Sequence, residues 1–499
     1  MPSSQAIVNR QLSIVTAVLA SACGGSDQSG PDGNFTVQIS PASPQVIVGG
    51  MVRFTATVTN SSGAPVTATV SWSSANPLIA SVSANGTVTG QSPGSVAITA
   101  RAGTGSAQTT LTVPPLPRTG QAVPQLESFD RIITDLMVKW RIPGGAIAVV
   151  KDGRLVLSRG YGYADLATAA AVEPDALFRI ASLSKPVTSV AALKLAEEGR
   201  LNLDAPAFSF RPDLQPIPGQ TPDPRLAQIT VRQLLWHVGG WDRDASGDPM
   251  FRAVTTAQAV GAPAPASCET VIRFMLGRPL DFTPGTKYVY SNYGYCVLGR
   301  IIAQVAGQSY EDYVKSSILA PLGVSRMRIG STLESGRAQG EVKYYDTDST
   351  TSVFGGGIVP WTYGGFYLEA MDSHGGWIAS APDLLRFLTA VDGFPTRPDI
   401  LQSQTISTML TTAVGVWGTS PYYYAMGWLR RPQQDNWWHD GSLPGTTALL
   451  VRAGNGLAWA ALFNARHMKP NSQFSAELDP AIWQAVGEVV VWPGGDLFH

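Results

Sequence analysis

No basic stripe or tail runs through this sequence. Its 35 Lys and Arg are met by 36 Asp and Glu, a formal net charge of −1, so neither nucleic acid nor an anionic membrane surface is expected as a partner. No apolar run reaches the ~18–20 residues that a membrane-crossing helix needs. Histidine is scarce, with five in the chain, and no H-E-x-x-H or H-x-H occurs among them. A zinc hydrolase is therefore not expected, and nothing implies a metal or a cofactor. Cysteine is rarer still, at three. If Cys23 is spoken for, Cys268 and Cys296 remain as an even pair, either bridged in an oxidising compartment or left as two buried thiols. The sequence carries no geometry to choose between them. At 499 residues the chain is too long for one compact core and is expected to form two or three domains.

What is present begins with a targeting pattern. Arg10 gives a weakly basic start, Leu12 to Ala22 is short and mostly apolar, and Ala20-Ser21-Ala22 fits an A-x-A cleavage site. Residues 1–22 read as a signal peptide rather than a spanning helix. Leu19-Ala20-Ser21-Ala22-Cys23 also resembles a bacterial lipoprotein signal, with Ala20 where the usual Leu stands. That resemblance makes Cys23 a candidate lipidation site and anchors the chain to a bacterial membrane. Both readings cut before Cys23. Both imply export, as a periplasmic, outer-membrane or secreted protein. Residues 23–33, rich in Gly, Ser and Asp, read as a tether.

Residues 34–113 change character. Short alternating runs such as Phe35-Thr36-Val37-Gln38-Ile39 and Val96-Ala97-Ile98-Thr99-Ala100 are separated by turn residues, among them Asn76-Pro77 and Asn85-Gly86. This spacing argues a small all-β sandwich. The text Val70–Ala100 resembles the bacterial immunoglobulin-like repeat, in one copy, with Trp72 as its core aromatic. Pro114-Pro115-Leu116-Pro117 opens a stiff linker over 114–124. From 125 the pattern is mixed. Leu126 to Trp140 has helical spacing, and Gly145–Val150 and Leu155–Tyr161 form a hairpin across the D-G turn of Lys151-Asp152-Gly153. Helices are expected at 187–198, 293–306 and 381–391, and strands at 424–430, 446–452 and 457–463. Strands at both ends with helices between give an α/β or α+β layer fold.

The one G-x-S-x-G, Gly90-Gln91-Ser92-Pro93-Gly94, is a decoy. A nucleophile elbow needs a strand before it and a helix after it. Here a turn sits between two sandwich strands, in a domain without His, Asp, Glu, Lys or Cys to serve as base or orienting acid.

A better constellation opens a helix. Phe178-Arg179-Ile180-Ala181-Ser182-Leu183-Ser184-Lys185 precedes an apolar-periodic stretch, with Pro186 in the first turn, where a missing N–H costs little. Ser182 and Lys185, three apart, share a helical face. The positive end of the dipole favours a developing alkoxide. S-x-x-K alone is common by chance, but Tyr290-Ser291-Asn292 follows it, and then His439-Asp440-Gly441 before Ser442. In this order the motifs resemble the serine β-lactamase and penicillin-binding protein family, specifically its class C branch with esterases and D-alanyl carboxypeptidases. The resemblance covers roughly 125–465 and includes Leu234–Gly240, Ala320–Val324, Gly375–Ser380 and Met426-Gly427-Trp428.

The resemblance implies a β-lactamase/transpeptidase-like domain over 125–499, with an antiparallel sheet and a helical subdomain. Ser182 would be acylated, Lys185 would take its proton, and Tyr290 would pass a proton to the leaving group. Asn292 would hold Lys185 and the substrate. His439 stands where most relatives have the Lys of K-T-G, though some D-alanyl carboxypeptidases and many esterases carry His there. Ser442 and Ser182 would supply backbone N–H groups to an oxyanion hole beside Gly441. His237 is read as structural, bonding a turn, and His374 and His467 as surface or loop residues. Aromatic residues from Trp236 to Trp438 divide between core and an acyl pocket, and 242–266 forms a lid.

The leading expectation is an exported serine hydrolase with a small ester or amide substrate, most simply an esterase. A D-alanyl carboxypeptidase, D-aminopeptidase or β-lactamase is the alternative. A penicillin-binding sensor or an adhesion module is the non-enzymatic one, disfavoured by three intact motifs. The sequence does not set the oligomeric state.

Overall fold

The computed structural model describes residues 34–466 and 468–498. The expected signal peptide (1–22), the tether with Cys23, and His467 lie outside the described residues. Among the described residues no helix is long and apolar enough to cross a membrane.

The N-terminal unit is all β. Its strands are β1 (Thr36–Ser40), β2 (Met51–Arg53), β3 (Thr55–Thr59), β4 (Ser71–Ser74), β5 (Ala80–Val82), β6 (Thr87–Gly90), β7 (Gly94–Ala102) and β8 (Gly105–Val113). They form three small sheets ordered β1-β3, β2-β6-β5 and β4-β7-β8. Along β7 the residues Val96, Ile98, Ala100 and Ala102 point inward and their neighbours outward, the period-two pattern of a half-buried strand. Phe54, Val88, Ile98 and Leu111 fill the core. Trp72, expected there, is only partly buried and leans on Phe54 with ring centroids 6.1 Å apart. The smaller Phe54 takes the centre.

The 114–124 segment is not a free connector. Within it β9 (Arg118–Thr119) pairs with β11 (Arg154–Asp165) through Thr119–Gly160 and Arg118–Tyr161. Leu116 is buried in the core behind that strand. A two-residue strand has no periodicity to read, so proline content alone made this stretch look like a spacer.

The second unit starts with α1 (Glu127–Trp140) and the hairpin of β10 (Gly144–Lys151) with β11. Asp152 and Gly153 both take positive φ, 50° and 74°, as a two-residue hairpin turn requires. Then come β12 (Ala170–Ala171), β13 (Phe178–Arg179), α2 (Ser184–Glu197), α3 (Val231–Leu235), α4 (Ala253–Val260), α5 (Cys268–Leu276), α6 (Asn292–Ala306) and α7 (Tyr310–Tyr313). After them run β14 (Arg328–Ile329), β15 (Ser349–Thr351), β16 (Ile358–Pro360), β17 (Trp377–Ala379), α8 (Ala381–Leu388) and α9 (Ser403–Met409). The chain closes with β18 (Tyr423–Tyr424), β19 (Leu429–Arg431), β20 (Asn436–Leu443), β21 (Thr446–Arg452), β22 (Leu457–Phe463) and α10 (Phe474–Gly487).

Nine of these strands form one sheet in the order β12-β11-β10-β22-β21-β20-β19-β18, with β9 added on β11. The pairs are antiparallel. β21 and β22 are buried at every position, because both faces are covered. Ile147, Val149, Trp459 and Phe463 meet α1 and α10 through Phe129, Met137 and Phe474. Ala146, Ala148, Leu450 and Leu462 face Val190, Leu384 and Leu388 of α2 and α8. Strands covered on both sides read as continuous apolar runs, and 457–463 does so throughout while 446–452 does so over Ala448–Val451.

The expected strand at 424–430 is split. β18 and β19 flank a tight turn in which Gly427 has φ +84°. A Cβ there would sit 2.7 Å from the Ser189 Cβ of α2, so the turn is seated directly on the helix that follows Ser182. Cys268 at the head of α5 is bridged to Cys296 of α6, with an S–S distance of 2.05 Å, which decides the choice left open by the sequence.

A chain beginning at residue 114 should keep its fold, with kcat/KM within about tenfold of full length, or ~1.4 kcal/mol. A chain beginning at 119 loses Leu116 from the core and half of β9. It should be destabilised by about 2 kcal/mol or more, measured as a lower urea midpoint.

Candidate active site

Ser182 lies in a single 3-10 turn, Ala181–Leu183, that runs into α2. Ala181 is held at φ +49°, a left-handed conformation that costs a residue with a Cβ about 1–3 kcal/mol and that persists only where packing enforces it. The enforcing element is β20. Its Gly441 passes so close that a Cβ would collide with the Ile180 carbonyl oxygen and approach Leu183 Cδ1 to 3.1 Å and Ala181 Cβ to 3.2 Å. This close approach explains the glycine of H-x-G. It also brings Ser442, the next residue of β20, to the same pocket as Ser182.

Lys185 is fully buried. Its Nζ lies 3.2 Å from Ser182 Oγ, 2.8 Å from Asn292 Oδ1 and 2.7 Å from the His374 carbonyl oxygen. Burial holds the amine well below the ordinary lysine range, with Asp248 and Asp440 opposing that shift and Arg243 adding to it. Lowered basicity is what a lysine needs in order to accept a proton near neutral pH.

Tyr290 lies just ahead of α6, whose first residue is Asn292. Ser291 caps that helix by accepting from the Gly294 N–H at 3.1 Å, and its own N–H donates to His237 Nδ1 at 3.0 Å. His237 thus bonds the turn before α6, a structural role, and its ring packs 4.4 Å from that of Tyr290. The Tyr290 ring lies 4.6 Å from Lys185 Nζ. Its buried hydroxyl sits beside Ser182 without a hydrogen bond of ordinary geometry. Burial pushes this phenol well above the usual tyrosine range, with Ser182 pulling the other way. Tyr290 is therefore a neutral phenol in the resting site. Of the two groups at Ser182, the lysine is the one suited to be the base.

Asn292 is held at both ends. Its Oδ1 accepts from Lys185, and its Nδ2 donates to Asp248 Oδ2 at 2.7 Å. His439 is buried. Its Nδ1 lies 2.6 Å from the Asp440 carbonyl oxygen, which only accepts, so Nδ1 carries the proton. Nε2, 3.1 Å from the Tyr424 hydroxyl, is then the acceptor. Burial pushes this histidine down to about 4, against the pull of Asp440. The imidazole standing where relatives carry a lysine is neutral at pH 7.

These groups surround a cavity of about 550 Å³ lined also by Phe251, Tyr288, Tyr424 and Asp440. Trp417 packs on Tyr288 at 4.3 Å between centroids, so part of the aromatic set does border the pocket, while Trp437 and Trp241 are core. Two expectations are corrected. His374, expected at the surface or in a loop, lies in a turn but not at the surface. It is 2% exposed, and its main-chain carbonyl anchors Lys185. Only the start of the expected lid, with Arg243, Asp248 and Phe251, reaches the pocket, while Ala253–Val260 is α4, packed against α5. Sequence reasoning placed Arg243 and Asp248 within the lid stretch but did not single them out. The decoy Ser92 donates to the Leu78 carbonyl at 2.7 Å in a turn of the sandwich. Among the described residues no cluster of three or more His, Cys, Asp or Glu is placed to hold a metal ion.

The Beta-lactamase family model matches residues 129–481. The chain belongs to that family. Its N-terminal unit matches the bacterial Ig-like domain (group 2) over 35–113. Protein flp of Staphylococcus aureus (strain N315) is 34% identical over 206 residues, 41% of this chain and 39% of that protein, so the match spans less than half of either. Penicillin-binding protein 4* of Bacillus subtilis (strain 168) is 25% identical over 316 residues, 62% of this chain and 65% of that one. Among solved structures, the D-amino acid amidase of Ochrobactrum anthropi SV3 in complex with D-phenylalanine superposes with a TM-score of 0.57 at 23% identity. That superposition covers 74% of this chain and 99% of the amidase and shows a shared fold.

Gly441→Ala should force β20 away from the Ser182 turn. A displacement of about 1 Å at a nucleophile can lower turnover ~100-fold. The expected result is a folded protein, checked by circular dichroism, with kcat/KM reduced by that order.

Proposed function

We propose that this chain is an exported serine hydrolase that cleaves small esters through an acyl-enzyme on Ser182. The observation carrying the reading is the fully buried Lys185 amine at 3.2 Å from Ser182 Oγ. In this reading Lys185 takes the serine proton as Oγ adds to the substrate carbonyl. The backbone N–H groups of Ser182 and Ser442 receive the oxyanion. Tyr290, neutral and beside Ser182, passes its proton to the departing alkoxide or amine and recovers one from the protonated Lys185. Water, activated by the same pair, then releases the acid.

The preference for uncharged esters rests on charge. With Lys185 and His439 held low, the described cavity wall carries the Arg243 guanidinium, stacked over the Tyr290 ring, against two carboxylates, Asp248 and Asp440. An anionic β-lactam finds no lysine at position 439. The same carboxylates support a second reading, hydrolysis of amino-acid amides or peptides with a free ammonium group. The amidase whose fold this chain shares was solved with D-phenylalanine. The complete constellation speaks against a non-catalytic penicillin sensor.

p-Nitrophenyl butyrate should be turned over with kcat/KM above that for nitrocefin, and Ser182→Ala should abolish turnover with the fold intact. His439→Lys should move relative preference toward anionic substrates. The reverse order for the wild-type protein would make the chain a β-lactamase, and a stoichiometric burst without turnover would make it a sensor. For export, the full chain expressed in a bacterium should partition into detergent, and Cys23→Ser should move it to the aqueous phase if Cys23 is lipidated. Retention of residues 1–22 in the mature protein would overturn the export reading.

A further inference from the structure

The Asn292 side chain is gripped from two sides, by Lys185 Nζ at Oδ1 and by Asp248 Oδ2 at Nδ2. An amide has an accepting end and a donating end, whereas a carboxylate only accepts. Asp248 therefore permits just one of the two amide orientations, the one that turns Oδ1 to the lysine. Asp248 is itself fixed, because its Oδ1 accepts from the Met250 N–H at 3.0 Å and caps the short turn Pro249–Phe251. We propose that Asp248 is a positioning residue for the Lys185 base, orienting Asn292 toward the amine and placing a fixed negative charge one side chain behind it. This rests on Lys185 acting as the base for Ser182.

The surroundings of Lys185 give that charge its weight. Ser182 faces it from the turn that leads into its helix, and Tyr290, Asn292 and Tyr295 from α6 and the segment ahead of it. His237 approaches from the end of α3, Arg243 and Asp248 from the 242–251 segment, His374 from the turn before β17, and His439 and Asp440 from β20. The three histidines are held neutral by burial. Arg243 opposes protonation of the amine, while Asp248, more than Asp440, favours it. A fully desolvated amine without a counter-charge would be too weak a base for a serine hydroxyl, since a base works best with a pKa near the ambient pH. Asp248 offsets part of that desolvation without touching the lysine.

The test uses the full protein and a fluorophosphonate probe, with the rate of Ser182 labelling followed against pH. Labelling should fall as pH drops and Lys185 takes up its proton. Asp248→Asn removes the charge and leaves one carbonyl oxygen where two carboxylate oxygens accept from Met250 and Asn292, so one of those two bonds is lost with it. Its acid limb should move down by about one pH unit, the size expected for loss of a nearby opposite charge, and its plateau rate should fall. Asp248→Ala should lower the plateau further, because Asn292 can then flip. A residue that only caps the 249–251 turn would change the melting temperature and leave the limb in place. A folded Asp248→Asn protein whose acid limb coincides with that of the wild type overturns the proposal. If that variant does not fold, Asp248→Glu decides: a limb near the wild-type position with a lowered plateau supports the proposal, and an unchanged plateau overturns it. Failure of the wild type to label at Ser182 at any pH overturns the hydrolase reading itself, and this proposal with it.

Discussion

A primary amine buried in a protein interior must find acceptors, and the fold of the second unit is arranged around that requirement. Lys185 is supplied by three separate parts of the chain: Ser182 one turn back, Asn292 at the head of α6, and the His374 carbonyl in the turn before β17. Leaving such a group unpaired would cost several kcal/mol. α2, α6 and the 371–376 turn are thus bound to one another through the amine as well as through apolar packing. β20 closes the arrangement from the fourth side, where Gly441 lets the strand touch the Ser182 turn. The strained φ of Ala181 is held by the same contact.

The same burial sets the chemistry. Desolvation disfavours a charge on lysine, phenol and imidazole alike, so the resting site holds a lysine of lowered basicity, a neutral tyrosine and neutral histidines. Beside Ser182 the site thus offers Lys185 as a group able to take a proton and Tyr290 as one able to give it. The charges that remain, Arg243, Asp248 and Asp440, lie on the cavity wall. They face the cavity, and they act on the lysine from a distance.

Much of this was legible in the sequence, for reasons that differ by element. The D-G turn, the covered strands at 446–452 and 457–463 and the helix after Ser182 each obey a local rule, and the structure has all of them. The motif residues stood out because each is marked by its side-chain type, and the structure brings them together. His374 was misjudged because its contribution is a carbonyl oxygen, which any residue carries, so its type held no signal. Asp248 and Arg243 come from a segment about forty residues before Tyr290, with no pattern to mark them, and only the tertiary fold brings them to the pocket. The Cys268–Cys296 bridge depended likewise on how α5 meets α6. At the linker, composition misled outright: proline suits a spacer, but Leu116 and β9 are part of the second unit.

That attachment bears on how the two units are joined. The sandwich ends at Val113, and three residues later Leu116 is already buried against α1 and β11. Contact continues across the joint, where Ile47 packs beside the α1 core and the Arg141 guanidinium donates to Gln91 of the turn that holds the decoy serine. The G-x-S-x-G loop therefore has a physical role after all. Gly90 and Gly94 allow a tight turn whose Gln91 reaches the second unit, while Ser92 is tied back to Leu78. A stretch that looks like a nucleophile elbow instead meets the neighbouring unit, and a short connection of this kind limits how far the two units can move apart. The sandwich and the second unit are thus joined through Gln91, Ile47 and Leu116 as well as through the backbone between them.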